Sequence, residues 1–376
     1  MNPLRILHAD LHLSWGGGQR QVLLLARGLA ARGHRTWVAT PPGSALGKRS
    51  RAAGLPVIDF RYRVEFDPRT AWSMARLVRR LEPDVLHAHE AHALTPALLA
   101  ARAARPRPAV VAHRRVVFPI RGGLLSRWKY AHGPERVIAI GRAVRDALIA
   151  SGVPPERIAV VHSAVEIDPA RDAPTWAAAP AASLRTRIAA PTHAPIVLTI
   201  ASLIPAKDHT TLIASAGRLR PREPMTRWVV VGGGDLLPSA RAEVGRNGLV
   251  GRVHYLGFDP APRALLPQAD VFALASASEG LGTSVLDAMA AGVPVVATRA
   301  GGIPEIVEHE RSGLLVPVGD PDAIAAAVDR LLDDPDLARH LAAAGRERVR
   351  GFDVETAVEA TEEVYREAIA AARAER

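Results

Sequence analysis

The sequence predicts an α/β protein built as two doubly wound parallel-sheet domains. Three observations carry that expectation. The chain has 376 residues, more than one hydrophobic core usually serves. Short apolar runs alternate along it with amphipathic helical stretches, as in parallel sheets covered on both faces by helices. An Ala- and Pro-rich stretch without a period of its own, residues 168–195, divides the runs into two series.

The first series of expected strands is 4–8, 36–39, 57–60, 85–87, 110–112, 137–140 and 158–161. The second is 196–200, 228–231, 253–256, 271–274, 293–297 and 314–316. The domain boundaries that follow are a first domain over 1–170, a linker over 171–195 and a second domain over 196–352. A terminal helix over 353–376 has no strand after it and must dock elsewhere, with the first domain as one candidate. Two facing domains of this kind would gather ligand at the carboxyl ends of both sets of strands.

Composition narrows the class. A hydrophobic fraction of 48% beside 23% charged residues is that of a folded globular protein. With no cysteine, disulfides, thiolate metal sites and a cysteine nucleophile are excluded together. Asp10 interrupts the first apolar run too early for a signal peptide, and no 18-residue apolar stretch occurs, so a cytoplasmic protein is expected.

The net charge of +10 is uneven. Residues 1–170 hold 26 Lys and Arg against 12 Asp and Glu, giving +14, whereas the remainder holds 22 against 26, giving −4. Such asymmetry points the first half toward an anionic partner, or else reflects an Arg-rich solvated surface. Aromatic residues are only 4%, with none interleaved in basic stretches, so a nucleic acid is not the expected partner. A peripheral position on the inner face of the cytoplasmic membrane is.

Several motifs are weaker than they look. Gly16, Gly17 and Gly18 follow the first strand and open a helix, which suits approach of an anion to backbone amides or simply a tight turn. Gln21 stands where a dinucleotide fingerprint needs its third glycine, and the second strand ends without the ribose-binding acid, so NAD is not expected. Residues 43–48, GSALGK, are one residue short of a P-loop and are followed by Arg49 instead of Ser or Thr. His87, His89 and His92 have a spacing that could converge on a metal, but no carboxylate shell beyond Glu90 accompanies them. They read better as histidines lining a cleft. The two Asp-Pro-Asp triplets, at 320–322 and 334–336, are helix N-caps followed by Pro at the first helical position, not metal ligands.

Lys207, in a loop after the strand at 196–200, suits a diphosphate. Gly233, in the Gly232–Gly234 run after 228–231, is in a turn that also permits an anion to approach. The strongest constellation is residues 279–287, EGLGTSVLD. Glu279 lies at the carboxyl end of a strand, Gly280 and Gly282 admit close backbone approach, and Thr283 starts a helix whose amides face outward. One turn on, Asp287 stays on the same side of that helix.

This segment resembles the E-x7-E region of retaining glycosyltransferases of family 4, which have the GT-B fold of two Rossmann-like domains. The resemblance runs through nearly the whole chain: GGGQRQVLLLARGLAARGH, VIAIGRAVRDALIASGV, ASLIPAKDH, VVVGGGDL, VHYLGF, SASEGLGTSVLDAMAAGVPVVAT and AGGIPEIV occur in the family's order. It implies a nucleotide-sugar donor, a saccharide or lipid-linked acceptor, retention of anomeric configuration, and no metal or other cofactor. By the same resemblance Glu279 contacts the donor sugar and shields positive charge at its anomeric carbon, and His113 also contacts that sugar. Lys207 and Gly17 approach the diphosphate, and Asp287 holds the ribose. Three departures stand out: Asp287 for the usual Glu, Ser202 where Arg commonly accompanies the lysine, and Gln19 where Glu is common. A nucleotide-sugar epimerase on the same fold and a non-catalytic sugar-nucleotide or polyanion binder are the rival readings.

Overall fold

A computed structural model describes residues 2–62, 67–120, 123–167 and 183–374. The chain divides into two compact units, one comprising Met1–Ala164 with Val354–Arg376 and the other Val165–Asp353. Residues 171–182 of the expected linker lie outside the described residues. Its far end does not: Leu184–Arg187 is a short helix of the second unit, Leu184 is fully buried, and its amide donates to Gln268 Oε1 at 2.7 Å. The second unit also begins at Val165, ahead of the boundary expected at 171.

Among the described residues the first unit carries seven strands: β1 (Arg5–Ala9), β2 (Arg35–Thr40), β3 (Val57–Asp59), β4 (Val85–Ala88), β5 (Ala109–Arg114), β6 (Arg136–Ala139) and β7 (Ile158–Val160). They form one parallel sheet in the order β3-β2-β1-β4-β5-β6-β7. The second unit carries β8 (Ile196–Ile200), β9 (Arg227–Val231), β10 (Val253–Gly257), β11 (Val271–Leu274), β12 (Val295–Thr298) and β13 (Leu314–Val316), again parallel, in the order β10-β9-β8-β11-β12-β13. Both sheets reverse their winding beside their first strand, between β1 and β4 and between β8 and β11. Ligands of doubly wound sheets bind at such reversals, outside the carboxyl ends of the strands.

The strands form where the sequence has continuous apolar runs because both faces of each sheet are covered. Ile6, Leu7, Val85, Leu86, Val137 and Ile138 are all fully buried, as are Val197, Leu198, Val229, Val230, Val271 and Phe272. Each triplet reading Asp-Pro-Asp opens a helix: Asp320 accepts from the amide of Ala323 at 2.9 Å and Asp334 from that of Leu337 at 2.9 Å.

The terminal helix, Val354–Ala374, completes the core of the first unit. Val358, Val364, Tyr365, Ala368 and Ala372 pack with Ile6, Leu25, Leu29, Val85, Val111 and Ile138. The helix Gly17–Ala31 lies so close that a Cβ on Gly28 would stand 2.5 Å from Val358 Cγ2. At the rim, Glu362 accepts from Arg32 Nε at 2.8 Å and lies 2.9 Å from His34 Nε2. Its carboxyl would be pushed up by burial, but these bonds hold it below the usual carboxylate range.

Candidate active site

In the second unit, the turn after β8 and the loop after β11 are tied together by backbone. The amides of Ala277 and Ser278 both donate to Ala206 O, at 3.0 and 3.2 Å. This brings Lys207, the last residue of the 3-10 turn Pro205–Lys207, against Glu279. Lys207 Nζ donates to Glu279 Oε1, and Ser276 Oγ donates to the same oxygen at 2.9 Å. Glu279 is only 8% exposed, and the side chain of Lys207 is 19% exposed. The carboxylate is therefore held from one side by a cation and a hydroxyl at the sheet reversal, where two charges out of water are retained only when well paired. Asp208, beyond the lysine, adopts φ +42° and caps the next helix, accepting from Thr211 N at 3.1 Å.

Glycines make the cradle because backbone presses on backbone. A Cβ on Gly301, whose φ is +50°, would stand 1.8 Å from Glu279 O, and one on Gly302 would stand 2.3 Å from Gly280 O. Gly301→Ala is accordingly expected to destabilise the protein by about 3 kcal/mol and to displace Glu279, where a tolerated overpacking would cost less. Urea unfolding of both proteins checks this, and an unchanged midpoint contradicts it. In the Gly232–Gly234 run the steric demand falls on the flanking residues. A Cβ would stand 1.8 Å from Ala201 O at Gly232 and 2.4 Å from Leu203 O at Gly234. Gly233 itself has ordinary space, and its carbonyl accepts from Leu203 N at 2.9 Å.

The helix Thr283–Ala290 starts from Gly282 in the left-handed conformation, φ +95°, with no side chain capping it. Thr283 and Ser284 thus present the first amides of a helix beside Glu279 and Gly280, a setting that favours an anion. Asp287, one turn in, is 5% exposed and has Arg263 Nη1 4.0 Å from its Oδ1; that guanidinium nitrogen also lies 3.3 Å from Glu166 Oε2. Sequence reasoning missed both Ser276 and Arg263, since neither stands in a spacing that announces it.

The first unit gathers a different set. The glycine loop places Gly17 as the first residue of the helix Gly17–Ala31, with Gly16 before it and no capping side chain. Asp10, following β1, accepts from Gln19 Nε2 at 3.2 Å and from the amide of His12 at 3.2 Å. His113, expected just beyond its strand, lies inside β5 and is 8% exposed. It belongs to a histidine cluster that only half matches the expected one. His87 and His89 are in it, but His92 lies within the helix Ala91–Arg102, its amide bonded to Glu90. His8 joins from β1, in register with His87 on β4.

The rings of His8 and His89 stack at 5.1 Å and those of His87 and His113 at 5.4 Å. His8 Nδ1 and His89 Nε2 are 2.9 Å apart, and His87 Nδ1 is 2.7 Å from the hydroxyl of Tyr365 on the terminal helix. Burial, then the charge of Arg115, pushes His8 down to about 3. Burial first, and neighbouring rings and Arg115 after it, holds His87, His89 and His113 well below the ordinary imidazole range. All four rings are neutral at physiological pH. Burial draws Arg115 down to about 10, which leaves it a cation, and raises Asp10 and Glu90. His8, His87 and His89 stand close enough to be tested as a metal site. Two of their ring nitrogens share one hydrogen bond and a guanidinium adjoins them, so the arrangement suits hydrogen-bond donors better than cation ligands.

Two parallel-sheet units of the same winding, one with a lysine-carboxylate pair and an open helix start at its reversal, define a two-domain α/β protein of the kind that handles nucleotides. Comparison with known proteins specifies the class. The family described as Glycosyltransferase Family 4 matches residues 15–169, and that described as Glycosyl transferases group 1 matches residues 182–348. The chain belongs to glycosyltransferase family 4 and has the GT-B fold.

A GDP-mannose-dependent alpha-(1-6)-phosphatidylinositol monomannoside mannosyltransferase of Mycobacterium tuberculosis is 39% identical over 167 residues, 41% of this chain and 43% of that protein. A D-inositol 3-phosphate glycosyltransferase of Kineococcus radiotolerans is 32% identical over 279 residues, 68% of this chain and 62% of its own length. The matched segments thus span less than two thirds of either relative. Among solved structures, Anabaena HepE in complex with UDP and glucose superimposes with a TM-score of 0.81 at 23% identity, covering 96% of this chain and 98% of that one.

Proposed function

We propose that this chain is a retaining, metal-independent glycosyltransferase that moves a hexose-type sugar from a nucleotide-sugar donor to a saccharide or lipid-linked acceptor, in the building of a lipopolysaccharide-like envelope glycan. The observation that carries the reading is the buried Lys207–Glu279 pair beside the uncapped helix start at Thr283. Departure of a nucleoside diphosphate develops negative charge, which an ammonium and free amides stabilise without a metal. The carboxylate of Glu279 stabilises the positive charge that grows on the sugar, with Lys207 and Ser276 fixing its position. Asp287 holds the ribose through its carboxylate, and Gly233 and Gly280 leave room for the diphosphate.

Relatives supply support for both uridine and guanosine donors, through the UDP complex of HepE and the GDP-mannose dependence of the mycobacterial enzyme. That enzyme's phosphatidylinositol-based acceptor supports the lipid-linked class. A thermal-shift series with UDP-, GDP- and ADP-sugars identifies the donor, since ligand at 100 times its Kd adds about 2.7 kcal/mol of apparent stability. Transfer is then assayed with EDTA and the product anomer read by NMR. Retained configuration in full-rate transfer is expected. A requirement for Mg²⁺ or an inverted product overturns the mechanism, and free epimer formed without acceptor overturns the reaction class.

For the acceptor, we infer that the basic first unit works at an anionic membrane surface from the cytoplasmic side. Among the described residues no helix is long and apolar enough to cross a membrane. On the helix Pro68–Leu81, Trp72 is 59% exposed with the guanidinium of Arg76 4.8 Å from its ring, and Arg69, Arg79 and Arg80 are exposed beside it. Aromatic and basic side chains together suit a lipid headgroup layer. Cosedimentation with vesicles containing anionic lipid is expected at low salt and should fall with added salt, whereas no binding in either contradicts the inference.

A further inference from the structure

The first unit carries, at the outer edge of its sheet, a cavity that the proposed transfer reaction does not use. It has a volume of about 560 Å³, a strand wall that runs from Ile58 to Phe60 and a helix wall formed by the half of the helix Pro68–Leu81 that follows Ser73. Both walls belong to the first unit alone.

The strand wall is polar at one point. β3 is the last strand of its sheet and pairs with β2 only. Pro56 O accepts from Val38 N at 3.0 Å and Phe60 N donates to Thr40 O at 2.8 Å, so every second residue faces β2. Asp59, one residue before Phe60, therefore turns its own amide outward to the free edge. Its carboxylate is already matched, accepting from Arg51 Nη2 at 2.7 Å.

The helix wall is basic. Arg76, Arg79 and Arg80 stand at spacings of three and four, which puts them on one face, and like charges so placed weaken a helix. Among the described residues none of the three has an ion pair or a hydrogen bond, and Arg76 has only the ring of Trp72, 4.8 Å away. Other arginines of the same unit do find carboxylates: Arg5 meets Glu82 at 3.1 Å, Arg32 meets Glu362 at 2.8 Å and Arg136 meets Glu367 at 3.0 Å. Three unanswered cations around a cavity whose one acid is taken call for an anion from outside the chain. The buried Phe60 and Leu77 add apolar surface beside them.

We propose that this cavity is a binding site for a phosphomonoester, whose phosphate is held by Arg76, Arg79, Arg80 and the Asp59 amide and whose carbon body lies against Ile58, Phe60 and Leu77. A guanidinium presents paired donors in a plane that fits two phosphate oxygens at once. A phosphomonoester carries a charge of about −1.5 to −2 near neutral pH, enough to offset most of the repulsion among three neighbouring arginines. The volume is that of a site for a small organic molecule and exceeds what a bare phosphate ion fills. A soluble metabolite and a lipid headgroup both offer this chemistry. The lipid source rests on the membrane reading above; the site itself does not.

The test uses the full chain labelled with 5-fluorotryptophan, the Trp72 signal being assigned by its loss in Trp72→Phe. Trp72 adjoins Arg76, so it reports this cavity and not the pocket of the second unit. Titration with glycerol 3-phosphate at constant ionic strength is expected to shift that signal to saturation, and sodium chloride alone to move it little. Arg76→Lys with Arg80→Lys keeps both charges but loses their planar forks, and is expected to weaken binding about tenfold. Thermal melting confirms that the variant folds, since both positions are exposed.

The source is read by cosedimentation with phosphatidylcholine vesicles containing phosphatidic acid. Release of bound protein by glycerol 3-phosphate identifies the headgroup as the natural occupant, and a saturable Trp72 shift without vesicle binding identifies a soluble ester; both support the site. A Trp72 signal that glycerol 3-phosphate does not move overturns it, and vesicle binding in that case leaves the membrane reading standing alone. A lysine variant that binds as tightly as the wild type also overturns it, reducing the cavity to part of a diffuse positive surface.

Discussion

Glu279→Gln is expected to lower kcat by about 10²- to 10³-fold while leaving the fold intact, the range seen when one preorganised electrostatic group is removed from an active site. The amide keeps the shape of the carboxylate and can still accept from Ser276 Oγ, at 2.9 Å in the wild type, so positioning survives and only the charge is lost. If Glu279 merely anchored its loop, kcat would change little. Lys207→Met acts differently. It removes the cation and leaves a carboxylate buried with one hydroxyl, so activity and stability both fall, the latter by up to about 3–5 kcal/mol for an isolated buried charge and less for this partly exposed pair. The double variant Lys207→Met with Glu279→Gln removes both charges and is expected to regain most of that stability without regaining activity. Thermal unfolding and initial rates on the three proteins separate the roles. A double variant whose loss of stability is the sum of the single losses contradicts the pairing.

The second large effect is on acid stability. Unfolded, each of His8, His87, His89 and His113 takes up a proton near its ordinary value of 6.5; folded, each stays neutral far below it, His8 down to about 3. Below pH 6.5 the unfolded chain binds more protons, so stability falls as pH falls, by about 1.4 kcal/mol per unit for each ring. Four rings together give a slope of about 5 kcal/mol per unit, against a total stability of about 5–15 kcal/mol for a typical protein. Glu362, held low by Arg32 and His34, adds to the loss further down. Asp10 and Glu90 act in the opposite sense, since burial raises them, but only as pH falls through their raised values toward 3.8 and 4.5. The first unit is therefore expected to melt steeply earlier between pH 7.5 and 5.5, and His8→Asn should reduce the slope by about one proton. Urea midpoints at three pH values measure it, and a flat profile over that interval contradicts the account.

The sheets were legible because strands covered on both faces must be apolar throughout, and short apolar runs need only be found. The lysine and the E-x7-E segment could be placed for a related reason: each lies in the loop that follows a strand, Lys207 after β8 and Glu279 after β11. What could not be read was pairing across distance. His8 meets His87 only because β1 and β4 are neighbours in register, a fact of topology that joins positions 79 apart in the sequence. His92 left the expected cluster because Glu90 N-caps the next helix and turns the chain away. Nothing in the spacing around Arg115 or Arg263 singles out either one in the sequence. The run of three glycines around Gly233 stands out in the sequence, but which of them bears the steric constraint depends on Ala201 and Leu203, from another loop.

The terminal helix has a consequence for how the protein is made. Because Val358, Tyr365 and Ala368 complete a core whose other half includes Ile6 and Leu25, the first unit cannot close its interior until the helix Val354–Ala374 has left the ribosome. The second unit, an unbroken segment from Val165 to Asp353, has no such dependence. Topologically it is a guest inserted into a host, and during synthesis the guest is free to fold while the host still waits with its apolar groove uncovered. In that interval the waiting half carries the aggregation risk, and a chain that stops short of Tyr365 would keep it permanently.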